Sequence, residues 1–465
     1  MKNILMVLAL VPVLAYSQSK RKKRQMEEKA NIELVNKLKS HIGYLADDQL
    51  EGRRAGSKGE DLARQYIINQ YQQMQLEPAG ENGYVQAFEI NDGKHIDDIT
   101  ILKADGKTLS LMEDYIPLAF SANKSVSGRP AMALSETGQP WFKDLKEVLE
   151  ENKTNPHFDV EEEIKKITDK VASKGATALF LYNSSDLVDN VQFNRKDRSE
   201  AVKIPVLFLT KKGYTKYFSD EAASIPVELN IHFSESRRTA HNIIGYINNH
   251  AANTVIIGAH YDHLGFGEDK NALDTGHIIH NGADDNASGT AAVIELARML
   301  KKKGPAGNNY LIMNFSGEEM GLLGSKYWLD HPTHNITANY MINFDMVGRY
   351  DTAHKLTIGG FGTSPVWAAV LSEKSNLLIK FDTTGSGPSD HAAFYRKAIP
   401  VLFLFTGSHP DYHKASDDWQ KINYDAEKDI VKLVYHIIEI TDSKGKLAFT
   451  KTAEPKTGEV KKMKV

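Results

Sequence analysis

Four apolar runs in this chain each empty into a histidine or a carboxylate. Thr254-Val255-Ile256-Ile257-Gly258-Ala259 leads into His260-Tyr261-Asp262, and Tyr310-Leu311-Ile312-Met313-Asn314-Phe315 ends at Ser316-Gly317-Glu318-Glu319. Tyr340-Met341-Ile342-Asn343-Phe344 delivers Asp345, and Pro400-Val401-Leu402-Phe403-Leu404-Phe405 leads to Tyr412-His413. Continuous apolar runs of this length are strands buried on both faces. An open α/β sheet built from them gathers ligands at the carboxyl ends of its strands, which is where these four place their titratable side chains.

Between the first two runs lies His280-Asn281-Gly282-Ala283-Asp284-Asp285-Asn286-Ala287-Ser288-Gly289. It sets two adjacent carboxylates among small residues. A helix follows, starting near Ser288 or Gly289, with Val293, Leu296, Ala297 and Leu300 on its apolar face. Lys301 to Lys303 suit its C-terminal end, and Gly304-Pro305 stops it. Two carboxylates on a tight turn are costly unless a cation pairs with them. Taken alone, the pair reads equally well as an Asx turn with a helix cap. The histidines and carboxylates at the strand ends favour a metal. Imidazole and carboxylate ligands without sulfur suit divalent zinc.

The motif series His260-Tyr261-Asp262, Gly282-Ala283-Asp284-Asp285-Asn286, Glu318-Glu319, Asp345 and Tyr412-His413, in that order, resembles that of the M28 family of dizinc aminopeptidases. The resemblance covers roughly residues 40–110 and 240–440. It implies a three-layer α/β/α zinc-peptidase fold, a mixed sheet between helices, holding two zinc ions. Cobalt or manganese would accept the same ligands.

Two metals held roughly 3.5–4 Å apart need a bridging carboxylate. The resemblance and position give that role to Asp284, with Glu319 and His413 completing one zinc and His260 and Asp345 the other. It also implies a cis peptide after the bridging residue, between Asp284 and Asp285, leaving Asp285 a structural neighbour. Glu318 is placed to take a proton from the metal-activated water and pass it to the leaving amine. Asp262, two residues beyond His260, shares its face of the strand end and is a partner for its imidazole. Tyr412 offers a phenol to the oxyanion of a tetrahedral intermediate. Ser389-Asp390-His391 is not a catalytic triad, because sequence neighbours cannot face one another as triad members do. Asp390 is expected behind the ligands, and most of the spare histidines His263, His277, His280, His391 and His409 are expected at the surface or behind the ligands.

The 465 residues are 41% hydrophobic and 25% charged, ordinary globular material for two or three domains. A net charge of −3 argues against a nucleic-acid partner. There is no cysteine, so every metal ligand must be nitrogen or oxygen. Lys2 followed by the apolar run Ile4 to Ala15 and a small-residue Ala15-Tyr16-Ser17 site reads as a signal peptide, residues 1–17. This makes the protein periplasmic or secreted. No other run is long enough to span a membrane. A basic stretch, Lys20 to Arg24, is expected as a disordered arm.

Residues 26–114 form the first part of the catalytic domain. Helices are expected at Asn31 to Leu45 and Lys58 to Leu76, around the Gly-rich basic loop Leu50 to Gly59, which lacks phosphate-loop spacing and resembles the start of M28 catalytic domains. Residues 115–230 break the pattern. The helix from Val160, Gly175 to Tyr182, and Ile204 to Leu209 resemble an inserted, mainly β protease-associated (PA) domain. Residues 231–442 complete the catalytic domain, closing with a helix at about Asp425 to Thr441, and 443–465 are a polar, Lys-rich tail.

These readings predict a secreted metallo-aminopeptidase acting on peptides, free of stable membrane insertion, of open oligomeric state. Other reactions on the same scaffold are a carboxypeptidase, a dipeptidase or a glutaminyl cyclase. A non-catalytic binding protein is a rival from another class, to be expected to lack ligands that this chain retains.

Overall fold

The computed structural model describes residues 10–153, 158–197, 199–220, 222–268, 271–274, 276–353, 355–372 and 375–453. The chain divides into two compact units, one formed by the residues up to Ile90 and from Arg238 onward, the other by Asn91–Arg237.

The first unit is built on a nine-stranded mixed sheet. From one edge its order is Glu77–Pro78, Phe233–Ile247, Asn309–Phe315, Thr254–His260, Ala338–Phe344, Val401–Phe405, Leu356–Gly359 and Ile379–Phe381, with Val85–Ile96 also paired to Phe233–Ile247. The four strands predicted to carry ligands are adjacent and parallel: Asn309–Phe315, Thr254–His260, Ala338–Phe344 and Val401–Phe405. Their carboxyl ends therefore share one edge. Their side chains alternate between the two faces, as a pleated strand requires. Ile257, Ile312, Ile342, Leu402 and Leu404 pack on one side, and Ile256, Leu311, Met313, Met341 and Val401 on the other.

Helices cover both faces. The first is covered by Leu10–Leu45, Lys58–Gln73, Gly289–Lys303 and Tyr424–Asp442. The second receives Trp328 from Leu323–Asp330 and Phe394 and Tyr395 from His391–Arg396. This is the three-layer arrangement predicted. The predicted helix after Asp285 is observed at Gly289–Lys303, and the last helix at Tyr424–Asp442.

Two differences have plain causes. The first nine residues of the expected signal peptide lie outside the described residues. The helix Leu10–Leu45 then runs through the basic stretch where a disordered arm was expected. Lys, Arg, Gln and Glu are good helix formers, and the same helix buries Leu34, Leu38, Ile42 and Leu45 further on. The tail does not fray at residue 443. Leu447 is buried, its N–H donates to Asn339 Oδ1, and Thr450 N–H donates to Thr363 O. Residues 454–465 lie outside the described residues.

The second unit begins at Asn91 rather than at residue 115. The hairpin Ile101–Ala104 and Lys107–Thr108, turned at Asp105-Gly106, joins it by pairing with Val227–Ile231. Val227–Ile231 pairs in turn with Lys124–Gly128, completing one four-stranded sheet. A second sheet runs Tyr115–Pro117, Val206–Leu209, Leu179–Tyr182 and Trp141–Asp144. Helix Val160–Ser173 packs by Ile164 against the core of this second sheet.

Candidate metal centre

Asp285 stands between two groups of donors. Its Oδ1 lies 3.4 Å from His260 Nε2, and its Oδ2 lies 3.2 Å from His413 Nε2. On the first side, His260 Nε2 is 3.5 Å from Asp345 Oδ1 and 4.0 Å from Glu318 Oε2. On the second, His413 Nε2 is 3.4 Å from Glu319 Oε2. His260 and Asp285 are almost fully buried, and the side chains of Glu318, Glu319, Asp345 and His413 are 5–14% exposed. Among the described residues, three sets of ligand atoms lie close enough to share an ion: His260, Glu318 and Asp345, and His263, Asp285 and Glu319 at this centre, and Glu60, Asp61 and His241 elsewhere.

Asp284 is not between these groups, which corrects the bridging role expected of it. Its Oδ1 accepts from Gly348 N–H at 2.7 Å and Ser288 Oγ at 3.1 Å. Its Oδ2 lies 3.2 Å from His409 Nε2. With the carboxylate held on that side, Asp284 cannot reach His260 or His413. The cis peptide likewise falls between Asp285 and Asn286, not between Asp284 and Asp285. Asp285 is therefore the residue facing both groups, not the structural neighbour expected.

The turn is held by its small and polar residues. Gly282 has φ +56°, and a Cβ there would lie 2.1 Å from Asp285 O and 2.4 Å from the His263 ring, so only glycine fits. Asn286 Nδ2 donates to Phe344 O, while its Oδ1 accepts from Gly289 and Met346 N–H. Ser288 Oγ donates to Asp284 O and accepts from Val347 N–H. Asp284, Asn286 and Ser288 together fasten this turn to the segment that carries Asp345. Asp417 Oδ2 accepts the N–H groups of both Asp284 and Asp285.

The partners behind the ligands differ in part from expectation. His260 Nδ1 lies 3.1 Å from Asp262 O and 3.7 Å from Asp262 Oδ1. Asp262 Oδ1 also accepts from Glu318 N–H at 3.2 Å. His263 Nδ1 is 2.8 Å from Glu319 Oε1. Asn271 accepts at its carbonyl from His413 Nδ1 and donates from Nδ2 to Glu319 O. Tyr412 stacks on His413, ring centroids 3.8 Å apart. Asp390 is fully buried, and Ser389 and His391 turn elsewhere: Ser389 accepts from Asn343 Nδ2, and His391 stacks on Phe403.

Asn271, Asn286 and Asp417 were not singled out from the sequence as partners of the ligands, and His263 and His409 were named only among the spare histidines, without a ligand assigned to either. For Asp417 and Asn286 the signal was present, since both lie within a few residues of a predicted ligand. Asn271 carries none, because loop geometry alone brings it to His413.

Crowding these charges shifts them. Burial pushes the carboxyls of Glu318 and Glu319 well above the ordinary range, with neighbouring carboxylates adding to it. Burial raises Asp390 to about 7, partly opposed by His260. His260 moves up although burial opposes it, because Glu318 and Asp345 stabilise its cation, and His413 likewise rises to about 9 against burial through Asp285 and Glu319. Carboxylates and imidazoles this close, inside a buried site, make a donor set that suits a divalent cation.

A family model described as Peptidase family M28 matches residues 242–438. Aminopeptidase YwaD of Bacillus subtilis (strain 168) is 27% identical over 268 residues, 54% of this chain and 53% of that protein. The chain spans about half the length of the curated relatives it matches. The aminopeptidase from Aneurinibacillus sp. strain AM-1 superposes with a TM-score of 0.51 at 20% identity, over 90% of this chain and 96% of that one. BSAP, a zinc aminopeptidase from Bacillus subtilis, gives 0.50 at 20% identity, over 89% and 95%. These two likenesses show the fold. Residues 242–438, which hold every side chain of the candidate metal centre, are the part of the chain that the model of peptidase family M28 matches.

Proposed function

We propose that this chain is a zinc aminopeptidase that removes N-terminal residues from peptides. The observation that carries the reading is the Asp285 carboxylate, with one oxygen facing His260 and the other His413. Asp285 would bridge two zinc ions, with His260 and Asp345 completing one set of ligands and Glu319 and His413 the other. The match to the family model and the names of relatives, among them a zinc aminopeptidase and aminopeptidase YwaD, support it.

Bound zinc supplies Lewis acidity and lowers the pKa of water toward neutrality. Glu318 acts as general base. Its side chain sits beside the His260 group without being hydrogen-bonded to it, and burial strengthens it as a base. It takes the proton from the attacking water and returns it to the leaving amine. Tyr412, stacked on His413, donates its phenolic hydrogen to the oxyanion. Asp262 orients His260 through both its carbonyl and its carboxylate. Asp390 supports the His260 side from behind.

The N-terminal residues 1–17 would direct export to the periplasm or beyond. No helix among the described residues is long and apolar enough to cross a membrane. The Asn91–Arg237 unit would be the PA-like insert, acting on substrate access rather than chemistry.

The test is hydrolysis of a panel of amino acid arylamides with added zinc, beside an N-blocked peptide with a free C-terminus. Release from the arylamides only, abolished by a chelator and restored by zinc, is the expected result. Cleavage of the blocked peptide alone would overturn the aminopeptidase reading. Glu318→Gln should keep bound zinc and lower kcat by roughly 10²–10⁴-fold. A variant with near-normal kcat would remove Glu318 from the base role.

A further inference from the structure

Arg53 is 1% exposed, in the Gly-rich loop before the second helix. Its hydrogen bonds go to main-chain carbonyls. Nε donates to Tyr261 O at 2.9 Å, Nη2 to Gly282 O at 2.9 Å, and Nη1 to Asn281 O at 2.5 Å and also to Leu45 O. Three of these four acceptors lie in the two segments that present His260 and Asp285. Tyr261 directly follows His260, and Asn281-Gly282 leads into the Asp285 turn. The loop's own carbonyls complete the tie, since His263 N–H donates to Arg53 O and Gly265 N–H to Gly52 O.

A buried cation close to a centre meant for two more cations needs a reason. Burial lowers the Arg53 pKa to about 10, and the carboxylates of Asp285, Asp262, Asp417 and Glu319 hold it charged against that. The planar guanidinium offers five donors in a rigid fork, and here it satisfies carbonyls from three separate stretches of chain. A lysine ammonium has three donors at one point and cannot span them.

We infer that Arg53 is a positioning residue of the metal centre, setting the separation between the His260 strand end and the Asp285 turn and so the affinity for the metal those two residues share. It touches neither metal nor substrate. The inference rests on the dizinc reading above.

The experiment is competitive zinc titration against a chromophoric chelator, for the wild type, Arg53→Lys and Arg53→Gln. Thermal melts of each metal-free protein run beside it. Arg53→Lys keeps the charge, so it separates geometry from electrostatics. The wild type should bind two zinc ions. Both variants should stay folded without metal, at a melting temperature lowered by the buried carbonyls left without a donor, while one zinc weakens by about 10–100-fold, the usual effect of losing a group that orients a ligand. Wild-type zinc affinity in both variants, or in Arg53→Lys alone, would overturn the inference. So would loss of the fold in both metal-free variants where the metal-free wild type stays folded, which would make Arg53 a structural residue only. A wild type that binds no zinc would instead overturn the dizinc reading on which the inference rests.

Discussion

Asp284 and Asp285 are adjacent and equally acidic, yet they face opposite ways. Asp285 presents one oxygen to each histidine of the centre, and Asp284 holds the segment after Asp345 through Gly348 N–H. Asp285→Ala should therefore lose both metals, measured as zinc per chain after dialysis in trace zinc. Asp284→Ala should retain metal more weakly and cost about 1–3 kcal/mol of stability, because it leaves the buried Gly348 N–H unpaired. Urea unfolding of the metal-free proteins measures that term. Equal metal loss in the two variants would contradict the division of roles. His413 adds a backbone feature of its own, φ +56°, sparse for a residue with a side chain. Its carbonyl accepts from Leu273 N–H and its Nδ1 faces Asn271 O, so the loop around 271–274 holds it in that conformation.

At the scale of elements, the segment between Val401–Phe405 and Tyr424–Asp442 must hold Tyr412 and His413 without regular structure through most of its length. Asp411 anchors it. Its Oδ1 accepts from Lys421 Nζ and Ser416 Oγ, both at 2.7 Å, and its Oδ2 accepts from Arg349 Nη2 at 3.0 Å. Burial opposes the charge, but these three donors outweigh it and hold the carboxyl at about 2, below its ordinary 3.8. A depressed folded pKa stabilises above the unfolded value and ceases to do so as pH falls through the folded one. Asp411→Asn should thus cost about 1 kcal/mol at neutral pH, the shift being reduced by solvent screening. The gap to wild type should close between about pH 4 and pH 2. Urea midpoints of the metal-free proteins across that range check it, and a pH-independent gap would assign the cost to packing instead.

At the scale of the molecule, two units each own their apolar cores. Ile257, Ile342 and Leu402 belong to the first, and Phe180, Leu207 and Leu229 to the second. The side chains of the metal centre all come from the first. The proposed zinc ions would bind the native state of that unit alone, so saturating zinc should raise the thermal transition of that unit. At about 100 times Kd the gain is about 2.7 kcal/mol per site. Calorimetry with zinc and with chelator should show one transition that moves and one that does not. Two transitions moving together would mean that the units unfold as one.

What the sequence determined by itself were the elements and the titratable side chains at their ends. Apolar runs such as Val255 to Ile257 and Leu311 to Met313 are readable because burial on both faces demands apolar residues throughout. The helix after Asp285 is readable because its apolar side chains recur with the helical period and its end carries lysines and a glycine. His260, Glu318, Glu319, Asp345 and His413 were legible because each stands directly at, or shortly after, the end of such a run. Which oxygen faces which neighbour was not legible. Asp284 and Asp285 are identical in type, and only the left-handed turn at Gly282, the hydrogen bonds from Gly348 and Ser288 and the packing of Asp417 decide that Asp285 faces inward. Arg53 reads in the sequence as one more basic residue in a Gly-rich loop. Only the tertiary structure brings Tyr261, Asn281 and Gly282, more than two hundred residues further along the chain, within reach of its guanidinium. Contacts to main-chain carbonyls leave no trace in the identity of the residues that make them, because every residue has one.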